Sequence, residues 1–291
     1  MDIVKNAINE WLFELGQGFY EVFWAIPNGI WKFFLKLTLS VISLDPQYLG
    51  QEGSVWGSLQ ATEVYTTILS IGASLLALFF LIGYIRQTMN FKEMASVENF
   101  LRFAIKFVIA TLLMTNIIPI MFEITGVTTI LVKQIEGISN LNISVEKGSI
   151  SLTNYQLFGI LTIVSIIAAF VCGVKIFLSV FKRFINIYVL LLMAPIAMST
   201  LAGDETISSS GVAWIKTTLG CIFEVVVIAL VIAVAGTLFS KGIMVTGESL
   251  SSIFPSLDGI AIAIVESTTM MVCTAGAVAG AEEFLKRSFA L

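Results

Sequence analysis

Histidine is absent from all 291 residues. That removes the side chain behind most acid–base catalysis near neutral pH, and the commonest ligand of zinc and haem iron. Charge is scarce as well. Lys, Arg, Asp and Glu make up 12% of the chain, about half of what a soluble domain carries. The formal net charge of −4 offers no basic surface of the kind that dominates nucleic-acid affinity. The three cysteines, Cys172, Cys221 and Cys273, stand alone in separate apolar runs. An odd number with no C-x-x-C argues for packing residues rather than disulfides or a metal site. No Gly-Lys-Ser/Thr phosphate loop, G-x-S-x-G or H-E-x-x-H occurs, so no cofactor, metal or enzymatic activity is expected.

What remains is apolar. Hydrophobic residues make up 57% of the chain, and mean hydropathy is +0.95. This predicts an all-α, polytopic membrane bundle of about five to six transmembrane helices plus N-terminal amphipathic helices. Residues 1–63 read as aromatic-rich amphipathic helices and a connector, and 64–291 as the transmembrane domain. Spans are expected near 64–85, 103–122, 157–181, 184–201, 215–239 and 260–281, the second kinked at Pro119.

Near the N-terminus, Asp2, Glu10 and Glu14 interrupt any secretory signal. From Ile8 to Phe23 the apolar residues share one helical face. Pro27-Asn28-Gly29 is expected to break that helix. Ile30 to Leu44 is apolar but carries Lys32 and Lys36, and it is short for a span of about 20 residues. Two readings stay open: the aromatic stripe, with Trp11, Trp24 and Trp31, lies in the headgroup region, or it packs on the protein's own bundle. A short span with snorkelling lysines would reverse the N-terminal side.

The most patterned stretch runs from Phe181 to Glu224. It opens with Lys182 and Arg183, continues as an apolar run to Pro195, and passes a polar segment with Asp204, Glu205 and Ser208 to Ser210. Trp214 and Lys216 then start another apolar run, which holds Glu224. This reads as two spans joined by a loop, with the basic pair at the cytoplasmic end.

Ionisable groups inside spans cost several kcal/mol unless paired or wet. Three qualify: Lys175, Glu224 and Glu266. Lys175 and Glu266 each fall roughly 9 Å from one side of the bilayer and could pair. Glu224, roughly 14 Å below the opposite end, is the candidate for facing a wet interior. The competing reading is a snorkelling Lys175 and a helix–helix hydrogen bond from Glu224. Pro195 is a packing kink or a gate. Gly276 and Gly280 form GxxxG, which favours close helix contact and a homo-oligomer.

Basic residues set orientation. With the loop after the first span in the cytoplasm, Arg86, Lys92, Arg102, Lys106, Lys175, Lys182, Arg183 and Lys241 lie on or near that side. Lys133, Lys147 and Lys216 lie opposite. Lys286 and Arg287 then fall outside, unless the Ala/Gly-rich last segment is re-entrant.

The block KRFINIYVLLLMAPIAMSTLAGDETISSSGVAWIKTTLGCIFE resembles the core of the TrbL-like conjugal transfer proteins, polytopic membrane subunits of type IV secretion systems. The shared pattern is a basic pair, an apolar run ending in Pro-Ile-Ala, a polar loop, and Trp-Ile-Lys before the next span. The stretch from Tyr65 to Thr115 is similar to versions carried by Gram-positive mobile elements. The resemblance covers most of the chain after about Leu59, in hydropathy and spacing more than in chemical motif. It implies a scaffold or channel component in the bacterial cytoplasmic membrane. The implied partners are other secretion-system membrane subunits, a cytoplasmic transfer ATPase, transient single-stranded DNA and further copies of the chain. It hands over no catalytic residues. Roles carried by soluble extensions of other family members lie outside this sequence. The alternative is a secondary transporter of a small solute or ion, which would be expected to show paired halves with matching broken helices; no such pairing is found.

The basic excess generates a topology prediction. With Ser96 replaced by Cys in a Cys-free background, an impermeant thiol reagent added to intact cells leaves position 96 unmodified. Strong labelling there would invert the topology.

Overall fold

The computed structural model describes residues 25–46, 54–89, 97–138, 155–240 and 259–288. Of these, 96% are helical, and no strand is found among them. A helix covering 25–42, α1, is followed by α2 (Val55–Gln60), α3 (Glu63–Met89), α4 (Val97–Ile138), α5 (Tyr155–Ser199), a 3-10 turn at Thr200–Ala202, α6 (Glu205–Ser240) and α7 (Gly259–Ser288). Five of these helices, α3 to α7, are long and apolar enough to cross a membrane. The chain is a multi-pass, all-α membrane protein.

Such helices must satisfy every backbone and hydroxyl group without water. The hydroxyls do this locally. Thr66, Ser70, Ser74, Thr111 and Thr217 each donate to a carbonyl of the preceding turn of their own helix. Large apolar side chains such as Ile71, Leu78, Leu112 and Val189 are left exposed, as a lipid-facing surface requires.

The contacts divide the chain into two compact units. The first comprises residues 1–41, 133–180 and 227–281. In it, α1 buries a stripe of Trp31, Leu35 and Leu39. Phe34 meets Phe170 edge-on at 5.7 Å and lies over Gly173, where a Cβ would stand 2.6 Å from the Phe34 ring. Trp31 is 1% exposed, so this residue of the aromatic stripe packs on protein. Trp11 and Trp24 lie outside the described residues. Pro27-Asn28-Gly29 lies within the described part of α1; the helix 8–23 that it is expected to break lies outside the described residues.

The second unit comprises residues 42–132, 181–226 and 282–291. Here α3 and α4 run antiparallel. The Phe80 and Phe107 rings lie 4.7 Å apart near one end. Near the other, Trp56 of α2 stands 5.7 Å from Tyr65 and 5.5 Å from Phe122. Ser54 caps α2 by accepting the Gly57 N–H at 2.9 Å and so holds Trp56 in place. The candidate span of α3, 24 residues from Glu63 to Arg86, rises about 36 Å, close to the ~30 Å hydrocarbon core. The core of this unit gathers Met114, Ile117, Ile118, Met121 and Phe122 of α4 with Ile187, Leu191, Ala194 and Met198 of α5.

Three expectations about the spans change. The runs 157–181 and 184–201 are one helix, the 45-residue α5. The basic pair at Lys182-Arg183 does not break it, because a buried arginine with partners is tolerated within a helix. The polar segment before Trp214 is not a loop. α6 begins at Glu205, and Asp204 starts it by accepting the Ile207 and Ser208 N–H groups. Ser208 and Ser209 then turn their hydroxyls back to the carbonyls of Glu205 and Thr206. Finally, α4 continues past Pro119 for 42 residues in all. The segment 90–96, with Ser96, lies outside the described residues.

Gly72 of α3 lies close against α5. A Cβ there would stand 2.9 Å from both the carbonyl carbon and the oxygen of Pro195. Backbone cannot yield as a flexible side chain does, so Gly72→Ala is expected to destabilise by about 1–3 kcal/mol. Gly276→Ala, with nothing within 4 Å, is expected to leave stability unchanged. Thermal unfolding in detergent separates them, and equal melting temperatures would refute the close approach.

Candidate functional site

The second unit is built around an antiparallel pair, the end of α5 and the start of α6. Its rungs are side chain to backbone. Trp214 Nε1 donates to the Leu190 carbonyl at 3.2 Å. One end of the pair is closed by the short turn at Gly203-Asp204. Toward the other, Arg183 reaches across from α5: Nε donates to the Cys221 carbonyl and Nη2 to the Ile222 carbonyl, the latter at 3.0 Å. Cys221 Sγ returns a weak contact to the Arg183 carbonyl at 4.0 Å. A helix carbonyl keeps a spare lone pair after its own N–H bond, so α6 solvates the guanidinium without losing a turn. Hydrogen bonds to a charged group contribute about 1.5–3 kcal/mol each, and a charge buried without them would cost more than that.

Lys182 and Arg183, adjacent in sequence, therefore do different things. Lys182 is exposed, whereas Arg183 is 3% exposed. Nor does the pair lie level with the turn that joins the two helices. Arg86, at the end of the α3 span, donates from Nη1 to Asp204 Oδ2 at 3.0 Å, so the turn before α6 lies at the Arg86 end. Arg183 is about 30 Å of helix rise away from it. The ion pair is 59% and 41% exposed on its two sides, and such a pair is worth at most about 1 kcal/mol. It reports a level more than it supplies stability. The Glu205 backbone N–H, and next the Arg86 guanidinium, hold the Asp204 carboxyl below the usual aspartate range.

The other candidates are spread out. Glu224, half-buried on α6, acts electrostatically on Arg183, so the two belong to one neighbourhood. Pro195 is buried beneath Gly72 and packs without interrupting α5. Lys175 is exposed and Glu266 half-buried in the first unit, and no ion pair joins them. Gly276 and Gly280 are exposed, and among the described residues no neighbouring helix comes within 4 Å of where a Cβ would stand. Of the cysteines, Cys172 is buried, Cys221 half-buried and Cys273 exposed, all as free thiols. A cavity of about 310 Å³ between α6 and α7 in the first unit is lined by apolar residues such as Val231 and Val234, with Cys273 and Thr274. It offers no acid, base or charge.

Sequence reasoning missed the threonines beside Arg183. Thr125, Thr128 and Thr129 of α4 line a small cavity with it. Their signal is an i, i+3, i+4 cluster of hydroxyls on one helical face, in a stretch just beyond the expected end of the second span. Comparison with protein-family models, curated proteins and solved structures finds no match for this chain.

The fork of Arg183 makes a prediction about residue type. A lysine ammonium is a single point on a flexible stem and cannot serve two carbonyls as a planar fork does. Arg183→Lys is expected to cost about 1.5–3 kcal/mol, one charge-assisted bond, whereas Lys182→Glu is expected to be nearly neutral. Denaturant unfolding in micelles measures both. Wild-type stability in Arg183→Lys would show that the contacts carry no weight.

Proposed function

We propose that this chain is a membrane scaffold or channel component of a conjugative type IV secretion machine in the bacterial cytoplasmic membrane. The observation that carries the reading is the block from Lys182 to Glu224. The resemblance to TrbL-like proteins is concentrated there, and the same residues form the clamped α5–α6 pair. The composition fits the role. A histidine-free chain with few charges suits building a passage better than catalysing a reaction in it. DNA contact in such a machine is transient, consistent with the net charge of −4. Energy for transfer comes from a cytoplasmic ATPase, and docking to it belongs to the end of the molecule that carries Arg86 and Asp204.

A mating assay tests this reading. Deletion of the gene from a conjugative element is expected to abolish transfer, and the wild-type chain supplied in trans to restore it. Arg183→Glu is expected to fail to restore transfer because a carboxylate would face the Cys221 and Ile222 carbonyls, while Lys182→Glu restores it. Undiminished transfer from the deletion strain would remove the proposal.

A further inference from the structure

Each N–H of a buried guanidinium needs an acceptor, and arginine has five. Arg183 commits Nε and Nη2 to α6. Its Nη1 is buried with no hydrogen-bond partner. The same side chain lines a cavity of about 10 Å³, together with Pro46, Thr125, Thr128, Thr129 and Phe184.

The lining chemistry selects the occupant. All three threonine protons are already used within α4. Thr125 donates to the Phe122 carbonyl at 2.7 Å, and Thr128 and Thr129 donate to the Thr125 carbonyl at 2.8 and 2.9 Å. Their oxygens retain lone pairs and act here as acceptors. The Pro46 carbonyl accepts the Tyr188 hydroxyl at 2.8 Å and keeps a second lone pair. The site thus offers one cationic donor and several acceptors. An occupant must accept from arginine and donate to oxygen. An anion would accept but would then meet a wall of lone pairs. The volume also decides, because about 10–15 Å³ holds one water and nothing polyatomic.

We infer that one resident water sits in this cavity, accepts from Arg183 Nη1 and donates to threonine oxygens of α4. Arg183 is then a three-way junction: its stem belongs to α5, its fork to α6, and its remaining edge reaches α4 through the water. A water-mediated link of this kind is nearly as favourable enthalpically as a direct one, and it gives Nη1 an acceptor.

The test is hydroxyl-radical labelling by an X-ray pulse, with the full-length protein in nanodiscs of phosphatidylethanolamine and phosphatidylglycerol. Radicals form from resident water and modify side chains beside it. Phe184 is 6% exposed and lines the cavity, whereas Phe122 is 4% exposed and does not. Phe184 is expected to be labelled several-fold more than Phe122 in the native protein. Replacing Thr128 and Thr129 by Val removes acceptors at nearly constant volume and is expected to lower Phe184 labelling to the Phe122 level. The Ser pair at the same positions is expected to retain it. Equal labelling of the two phenylalanines in the native protein would overturn the inference with no variant needed. So would unchanged Phe184 labelling in the valine variant.

Discussion

A guanidinium enclosed by apolar helices sets the terms for everything near it. Arg183 is almost wholly inaccessible, so protein must supply what water would have supplied. The cheapest acceptors in a helix bundle are backbone carbonyls, because each has a lone pair left over. Using two successive ones, at Cys221 and Ile222, fixes both the distance and the register of α6 against α5. Once that register is fixed, Trp214 falls opposite the Leu190 carbonyl. The connection between the helices is then a 3-10 turn and the two residues Gly203 and Asp204. Gly203 suits this corner, since a Cβ there would stand 2.9 Å from Ile207.

The remaining helices of this unit follow from the same pair. Asp204 is presented where Arg86 can reach it, which sets the level of α3. Gly72 then meets the Pro195 carbonyl, a contact only a residue without Cβ can make. α4 is placed by aromatic contacts, Phe107 on Phe80 and Phe122 on Trp56, so its threonines come level with Arg183. None of these contacts is strong alone. Their order matters because the arginine has the largest penalty for being misplaced, and the others accommodate to it.

The fold class was legible from composition, because a chain with so little charge and such long apolar runs has few soluble solutions. The helix ends were less legible, for a physical reason. Hydropathy along the chain averages over all faces of a helix. Lys182 and Arg183 look like one basic boundary, yet successive residues point about 100° apart, so one is exposed and the other enclosed. The polar run from Asp204 to Ser210 looked like a loop because its hydroxyls were counted as needing water, whereas serine can return its proton to its own helix. Glycine spacing does not locate contacts within the chain. Gly276 and Gly280 fit the pattern for close contact and meet nothing within 4 Å here, whereas Gly72, beside Ala73 and Ser74, meets Pro195. A motif records which residues permit contact, and only the partner surface decides where contact occurs. Glu224 was recognisable as unusual, but its nearness to Arg183 depends on a register that no linear pattern contains.

Counting α5 once instead of twice has a consequence for the whole chain. A single crossing removed from the middle exchanges the sides of everything after it. With the Arg86 end in the cytoplasm, α4 leaves it, α5 returns, and the Asp204 turn lies inside, where the ion pair to Arg86 requires it. α6 and α7 are long and apolar enough to cross as well. The six-span reading left Lys286 and Arg287 outside unless the last segment was re-entrant, against the tendency of basic residues to stay in the cytoplasm. Counting α5 as one helix removes the parity on which that placement rested. The buried arginine, with its carbonyl partners on α6, sits within a continuous α5, and a helix that does not stop at Lys182-Arg183 delivers its far end to the level of Arg86.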